Sequence, residues 1–137
     1  MPLDPERVAE TCGWLVRAAE DLRAGAFERT AQPPITTDMV FHAQQAAEKT
    51  LKAFLTWHDR PFRRTHDLAE LGAACAEIDH TLEAHCRQAE PLTVFAWAFR
   101  YPGESEAPTA GEADDALAMA RRLYDGVVAR LPVETHP

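Results

Sequence analysis

Residues 36 to 57 read TTDMVFHAQQAAEKTLKAFLTW, and this stretch decides the fold. Its apolar residues Val40, Ala47, Leu51, Phe54 and Leu55 recur every three or four positions, the mark of one buried helical face. No proline or glycine interrupts it, and Thr36, Thr37 and Asp38 offer caps at its start. Gln44 falls on the apolar side. A buried amide without a partner costs about 1–3 kcal/mol, so Gln44 calls for a bond across an interface or a polar pocket. Helical spacing sets His42, Gln45, Lys49 and Lys52 along another side. Glu48 and Lys52, four apart, are worth roughly 0.2–0.5 kcal/mol as a helical ion pair.

Outward from this helix, ten prolines divide the chain, because proline lacks the helical N–H and clashes with the preceding turn. A first helix is expected from Pro5, capped by Asp4, to about Arg23, with Val8, Cys12, Leu15, Ala19 and Leu22 as its buried seam. Gly25 and Pro33-Pro34 read as a loop. Thr65 is the expected cap of a third helix bearing Leu68, Leu71, Cys75 and Ile78. A fourth runs from about Asp79 to Arg100, kinked near Ala89 by Pro91. Its aromatics Phe95, Trp97, Phe99 and Tyr101 alternate as in a strand, but no other segment offers a sheet partner. As a helix they leave more apolar surface than one face covers, which points to a homodimer. After an acidic loop from Tyr101 to Gly111, Thr109-Ala110-Gly111-Glu112 has capping-box spacing. Leu117, Ala120, Leu123, Tyr124, Val127 and Leu131 then form a last amphipathic face, stopped by Pro132. The fold class is therefore all-α: an antiparallel up-and-down bundle of about five helices with a four-helix core, one domain over 1–137.

Composition excludes several classes. With 137 residues, 46% hydrophobic, the chain forms one core and not a multidomain enzyme. No apolar run is long enough to span a bilayer, and the start at Met1-Pro2-Leu3-Asp4 lacks a secretory pattern, so no membrane association and a cytoplasmic location are expected. Cys12, Cys75 and Cys86 are too few and scattered for a disulfide framework or paired metal site, and read as small, reduced, buried residues. The net charge of -8 opposes general attraction to nucleic acid. Yet between Lys49 and His66 five basic side chains meet one acid, Asp59, a local balance of +4 on a remainder of -12. Such a strip is either an anion site or a solvated face.

Two groups of residues bear on chemistry. His42, Gln45, Lys49 and Lys52 together present an imidazole, an amide and two ammonium groups to an anion. Arg100-Tyr101-Pro102 combines a guanidinium for phosphate with a ring for stacking on a base. The alternative for Arg100 is a last-turn cation favouring the helix dipole. His80 and His85 diverge on a helix, and Asp38 with His42 lacks further ligands, so no metal site and no cofactor is expected. No HExxH, P-loop or GxSxG pattern occurs.

The sequence resembles the HEPN family, small helical domains named for higher eukaryotes and prokaryotes nucleotide-binding. The matching pieces are Trp14…Ala18…Asp21-Leu22, the block from Phe41 to Ala53, Thr65-His66-Asp67-Leu68, and Arg100-Tyr101-Pro102. The resemblance implies a dimerising helical bundle, often paired with a minimal nucleotidyltransferase in toxin–antitoxin-like systems. Many relatives are metal-independent endoribonucleases using an Arg-x(4–6)-His motif. Here Arg100 is in register, but the positions for histidine hold Ser105, Glu106 and Ala107, and no side chain replaces the imidazole as acid and base. The expectation is thus a non-catalytic nucleotide- or RNA-binding protein acting with a partner. Arg100 and Lys49 would neutralise phosphate in one shared cationic hollow, Lys52 extend it, Tyr101 stack, and Gln45 with His42 hydrogen-bond. Alternatives are a divergent endoribonuclease, with His42 or His66 beside Arg100, and a structural dimer binding only protein.

Overall fold

The computed structural model describes residues 2–103 and 106–137, and among them every regular element is helical. Five α-helices form the bundle: α1 (Pro5–Arg29), α2 (Thr36–Trp57), α3 (Leu68–Ile78), α4 (Glu83–Ala89) and α5 (Ala110–Val128). Short 3-10 segments at His80–Leu82, Glu90–Ala96 and Val133–Thr135 complete it. None of these helices is long and apolar enough to cross a membrane.

α2 lies at the centre, packed on α1, α5, α3 and the 3-10 segment Glu90–Ala96. Its apolar line is buried as the periodicity requires, with Val40, Ala47, Leu51 and Leu55 fully inaccessible and Phe54 nearly so. Each of the larger side chains removed from water, Val40, Leu51, Phe54 and Leu55, contributes on the order of 1.5–3 kcal/mol. α1 runs antiparallel to α2, since Asp21 meets His42 and Lys49 while Trp14 meets Lys52. Residues 60–67 return in non-helical form along α2. Arg60 N–H bonds the Leu55 carbonyl, and the His66 carbonyl accepts from Gln44, so α3 starts beside the middle of α2. α4 and α5 close the bundle, with His85 against Gly126 and Arg130 reaching back to Thr81.

Several expected boundaries move for local reasons. Asp4 caps α1 at the Glu6 N–H, but the helix passes Gly25 and continues to Arg29. Gly25 is not a terminator. A β-carbon there would lie 2.5 Å from the Leu117 side chain, so its role is to let α1 and α5 approach. The buried seam of α1 is Thr11, Leu15, Ala18, Leu22 and Gly25; Val8, Cys12 and Ala19 sit half-buried at its margin. α2 begins after Ile35 without a side-chain cap, and α3 is capped by Asp67, which accepts from Ala69 and Glu70 N–H. Thr65 instead accepts from the Asp67 N–H. The Thr109–Glu112 capping box forms in full at α5.

The expected fourth helix breaks up. Glu90–Ala96 winds as 3-10 over Pro91, and helical geometry ends at Trp97. Phe99 adopts φ 63°, a left-handed conformation that a helix cannot continue. The aromatic pairs then separate by side: Phe95 and Phe99 stack at 6.2 Å against the core, while Trp97 and Tyr101 point outward, 54% and 75% exposed. Cys75 and Cys86 are buried and reduced, with Cys12 half-buried. Burial pushes the Cys86 thiol up to about 11 and the Cys75 thiol higher, so both stay protonated near neutrality.

Candidate functional site

The polar residues of α2 fall into two lines with different fates. His42 and Lys49, two turns apart, face α1, where both oxygens of the buried Asp21 are taken. Lys49 Nζ donates to Oδ2 at 2.7 Å and His42 Nδ1 to Oδ1 at 3.0 Å. The other His42 nitrogen lies 3.6 Å from Glu28. The Asp21 hydrogen bond is the leading cause that raises the His42 pKa above its ordinary value; burial opposes it and the charges of Glu28, Asp21 and Asp38 add to it. Burial lifts the Glu28 carboxyl, whose Oε1 has no hydrogen-bond partner among the described residues. Among the described residues no three His, Cys, Asp or Glu side chains gather as metal ligands.

The second line is Phe41, Gln45, Glu48 and Lys52, spaced four, three and four residues along one face. Glu48 anchors it. Its Oε1 accepts from His66 Nδ1 at 2.6 Å and from Gln44 at 3.2 Å, and its Oε2 accepts from Lys52 Nζ at 2.9 Å. Burial alone would raise this carboxyl, but the bonds from His66, Lys52 and Gln44 outweigh it and hold the pKa below its ordinary value. Gln44 finds its partners here: it donates to Glu48 and the His66 carbonyl, and accepts from Gln45 at 2.7 Å.

Beyond Glu48, Trp14, Lys52, Phe62, Arg64, Thr65 and His66 enclose a cleft of about 520 Å³. Lys52 Nζ stands 5.6 Å from the ring centres of both Trp14 and Phe62, which meet edge to face at 6.1 Å. At the other end of the line, eleven residues or about 16 Å away along the helix, Arg100 lies over the Phe41 ring at 4.1 Å. Tyr101 extends from the same turn into solvent.

The structure therefore divides the six expected site residues. His42 and Lys49 belong to the α1–α2 seam, Lys52 to the Glu48 pair, Gln45 to the amide chain between them, and Arg100 with Tyr101 to the far turn. One open cationic hollow does not form, because Asp21 neutralises Lys49 and Glu48 neutralises Lys52 at hydrogen-bond distance. Arg100 packs on the Phe41 ring, whose centre is 5.6 Å from that of His42, and forms no hydrogen bond to His42 or His66 among the described residues. Ser105 lies outside the described residues. Spacing did not single out Asp21, Glu48, Trp14, Phe62 or Arg64 as site residues, since their partners lie on other segments. Trp14, Asp21, Glu48 and His66 do fall within the blocks that carry the family resemblance.

What the arrangement can do is bind an anion bearing a flat ring. It has guanidinium groups at both ends that pair with no carboxylate among the described residues, aromatic rings beside them, and the Gln45 amide between. Comparison with known proteins gives one finding: the family model for the HEPN domain matches residues 12–131. No curated protein and no solved structure gives a significant match.

Proposed function

The chain belongs to the HEPN domain family, and we propose that within it this protein binds nucleotide or RNA without the usual catalytic histidine. The observation that supports this most is Arg100. Of the four cationic or imidazole groups expected in the site it is the one with no carboxylate among the described residues, held on the Phe41 ring beside a Tyr101 that is 75% exposed. A guanidinium fixed on a ring keeps its N–H fork for phosphate, and an adjacent free phenol ring stacks on a base. Gln45 lies on the same face of α2 as Phe41 and offers its amide for hydrogen bonds. His42 and Lys49 on Asp21, and Lys52 on Glu48, set the local charge and tie the surrounding residues together. The protein acts in the cytoplasm with a partner, a minimal nucleotidyltransferase in a toxin–antitoxin-like pair, and as a homodimer through the exposed Val94 and Trp97.

Binding of a short single-stranded RNA at low salt tests this reading. Affinity is expected to fall steeply with salt, and Arg100→Ala to weaken it about tenfold; no binding at low salt overturns it. Sedimentation tests the dimer, which a single 15.2 kDa species across the micromolar range would refute.

One observation favours a second reading, a divergent metal-independent endoribonuclease. Glu48 fixes His66 through Nδ1 while the His66 side chain remains 58% exposed, an oriented imidazole able to exchange protons. Incubation of the pure protein with mixed RNA in EDTA decides it. Cleavage that disappears in Arg100→Ala and His66→Ala would replace the binding-only function with this one.

A further inference from the structure

We infer that the cleft beside Lys52 is a mononucleotide site separate from the Arg100 turn, taking a nucleoside 5′-phosphate with its base on the Trp14–Phe62 wall and its phosphate at Arg64 and His66. The inference deepens the nucleotide-binding reading and rests on it.

Four features of the cleft converge on this ligand. Its volume of about 520 Å³ falls within the roughly 300–1,000 Å³ of small-molecule sites. Its apolar side is built from two aromatic rings, a surface suited to a base of any identity. Its polar side is cationic: Arg64 forms no ion pair with the described residues, unlike its neighbours Arg60 and Arg63, which are neutralised by Glu77 and Glu70. Finally, Lys52 is buried to 9% side-chain exposure with one carboxylate bond, to Glu48. An ammonium has three donors; two remain, on a group that lines the cleft. Glu48 also accepts from His66 Nδ1, which holds the imidazole in place on the same wall. A dicationic or purely apolar ligand would meet charge repulsion or leave these donors unmatched. An anion with an attached flat ring matches both sides.

The test is isothermal titration of the full chain with AMP, adenosine and inorganic phosphate at low salt. AMP is expected to bind at least about tenfold more tightly than either fragment, since each fragment fills one wall only. Arg64→Ala removes an exposed side chain and is expected to weaken AMP binding about tenfold. Equal affinity of wild type and Arg64→Ala, or of AMP and adenosine, overturns the proposal. So does absence of AMP binding in a protein that still binds RNA through Arg100, an outcome that leaves the RNA-binding reading standing. Loss of both RNA and AMP binding overturns the two together. A 5′-phosphorylated tetraribonucleotide distinguishes the source of the ligand: tighter binding than AMP assigns the cleft to an RNA end, weaker binding to a free nucleotide.

Discussion

The middle of α2 and the turn from Val94 to Tyr101 reverse the usual rule of side-chain placement. In α2, Gln44, Glu48 and Lys52 are buried; in the turn, Val94, Trp97 and Tyr101 are exposed. The difference lies in partners. Glu48 receives three hydrogen bonds and Gln44 is satisfied on both its oxygen and its nitrogen, so the desolvation cost of each is offset. The turn has the opposite problem. Its left-handed Phe99 and 3-10 winding send two aromatics to the core and two away from it. The buried Gln44–Glu48–Lys52 group is held by side-chain hydrogen bonds, whereas the exposed side chains of Val94, Trp97 and Tyr101 make none among the described residues.

The sharpest way to break this comparison is Glu48→Leu. It leaves the buried Lys52 without its counter-charge and takes one partner each from His66 and Gln44, and urea unfolding is expected to show a loss of about 3–5 kcal/mol. The double substitution Glu48→Leu with Lys52→Met removes both charges, and the same measurement should return to within about 2 kcal/mol of the parent. If the double variant is no better than the single one, the ion pair is not what makes the burial tolerable.

Acidity gives a finer version of the contrast. Glu48 has a lowered folded pKa, so its contribution is present above its ordinary 4.5 and is lost as pH falls through the folded value. His42 has a raised one, so its contribution is complete below its ordinary 6.5 and fades as pH rises through the folded value. Urea midpoints should therefore decline on both sides of the interval between them. Asp21→Asn should flatten the alkaline decline and leave the acid one in place. The smallest expected effect is in the turn, where Trp97→Ala should alter unfolding free energy by about 0.5 kcal/mol or less while shifting sedimentation toward the monomer.

Much of the architecture was legible because its signals are local. Asp4-Pro5, the Thr109–Glu112 box and the spacing of Val40, Ala47, Leu51 and Leu55 each fix structure within a turn or two. What was not legible depends on distant segments. Gly25 looks like a stop unless Leu117 is known to press on it. The α1 seam rotates because Thr11 and Ala18, not Cys12 and Ala19, face the neighbours. Phe99 carries no sign of its positive φ. The same limit applies to the site. Residue type and spacing identified the charged face of α2, but Lys49 meets a carboxylate 28 residues earlier and His66 one 18 residues earlier. No periodicity within the helix reveals which cations are already neutralised.

The stretch after α2 looks like ordinary surface loop, where extra residues are normally tolerated. Here its length is metered. Asp59 turns the chain at φ 53°, and Asp67 starts α3. Between them His66 must arrive in register with both a side chain on Glu48 and a carbonyl on Gln44. An insertion of even a single residue would unseat that double latch, so the segment behaves as a ruler whose span is dictated by the carboxylate it reaches.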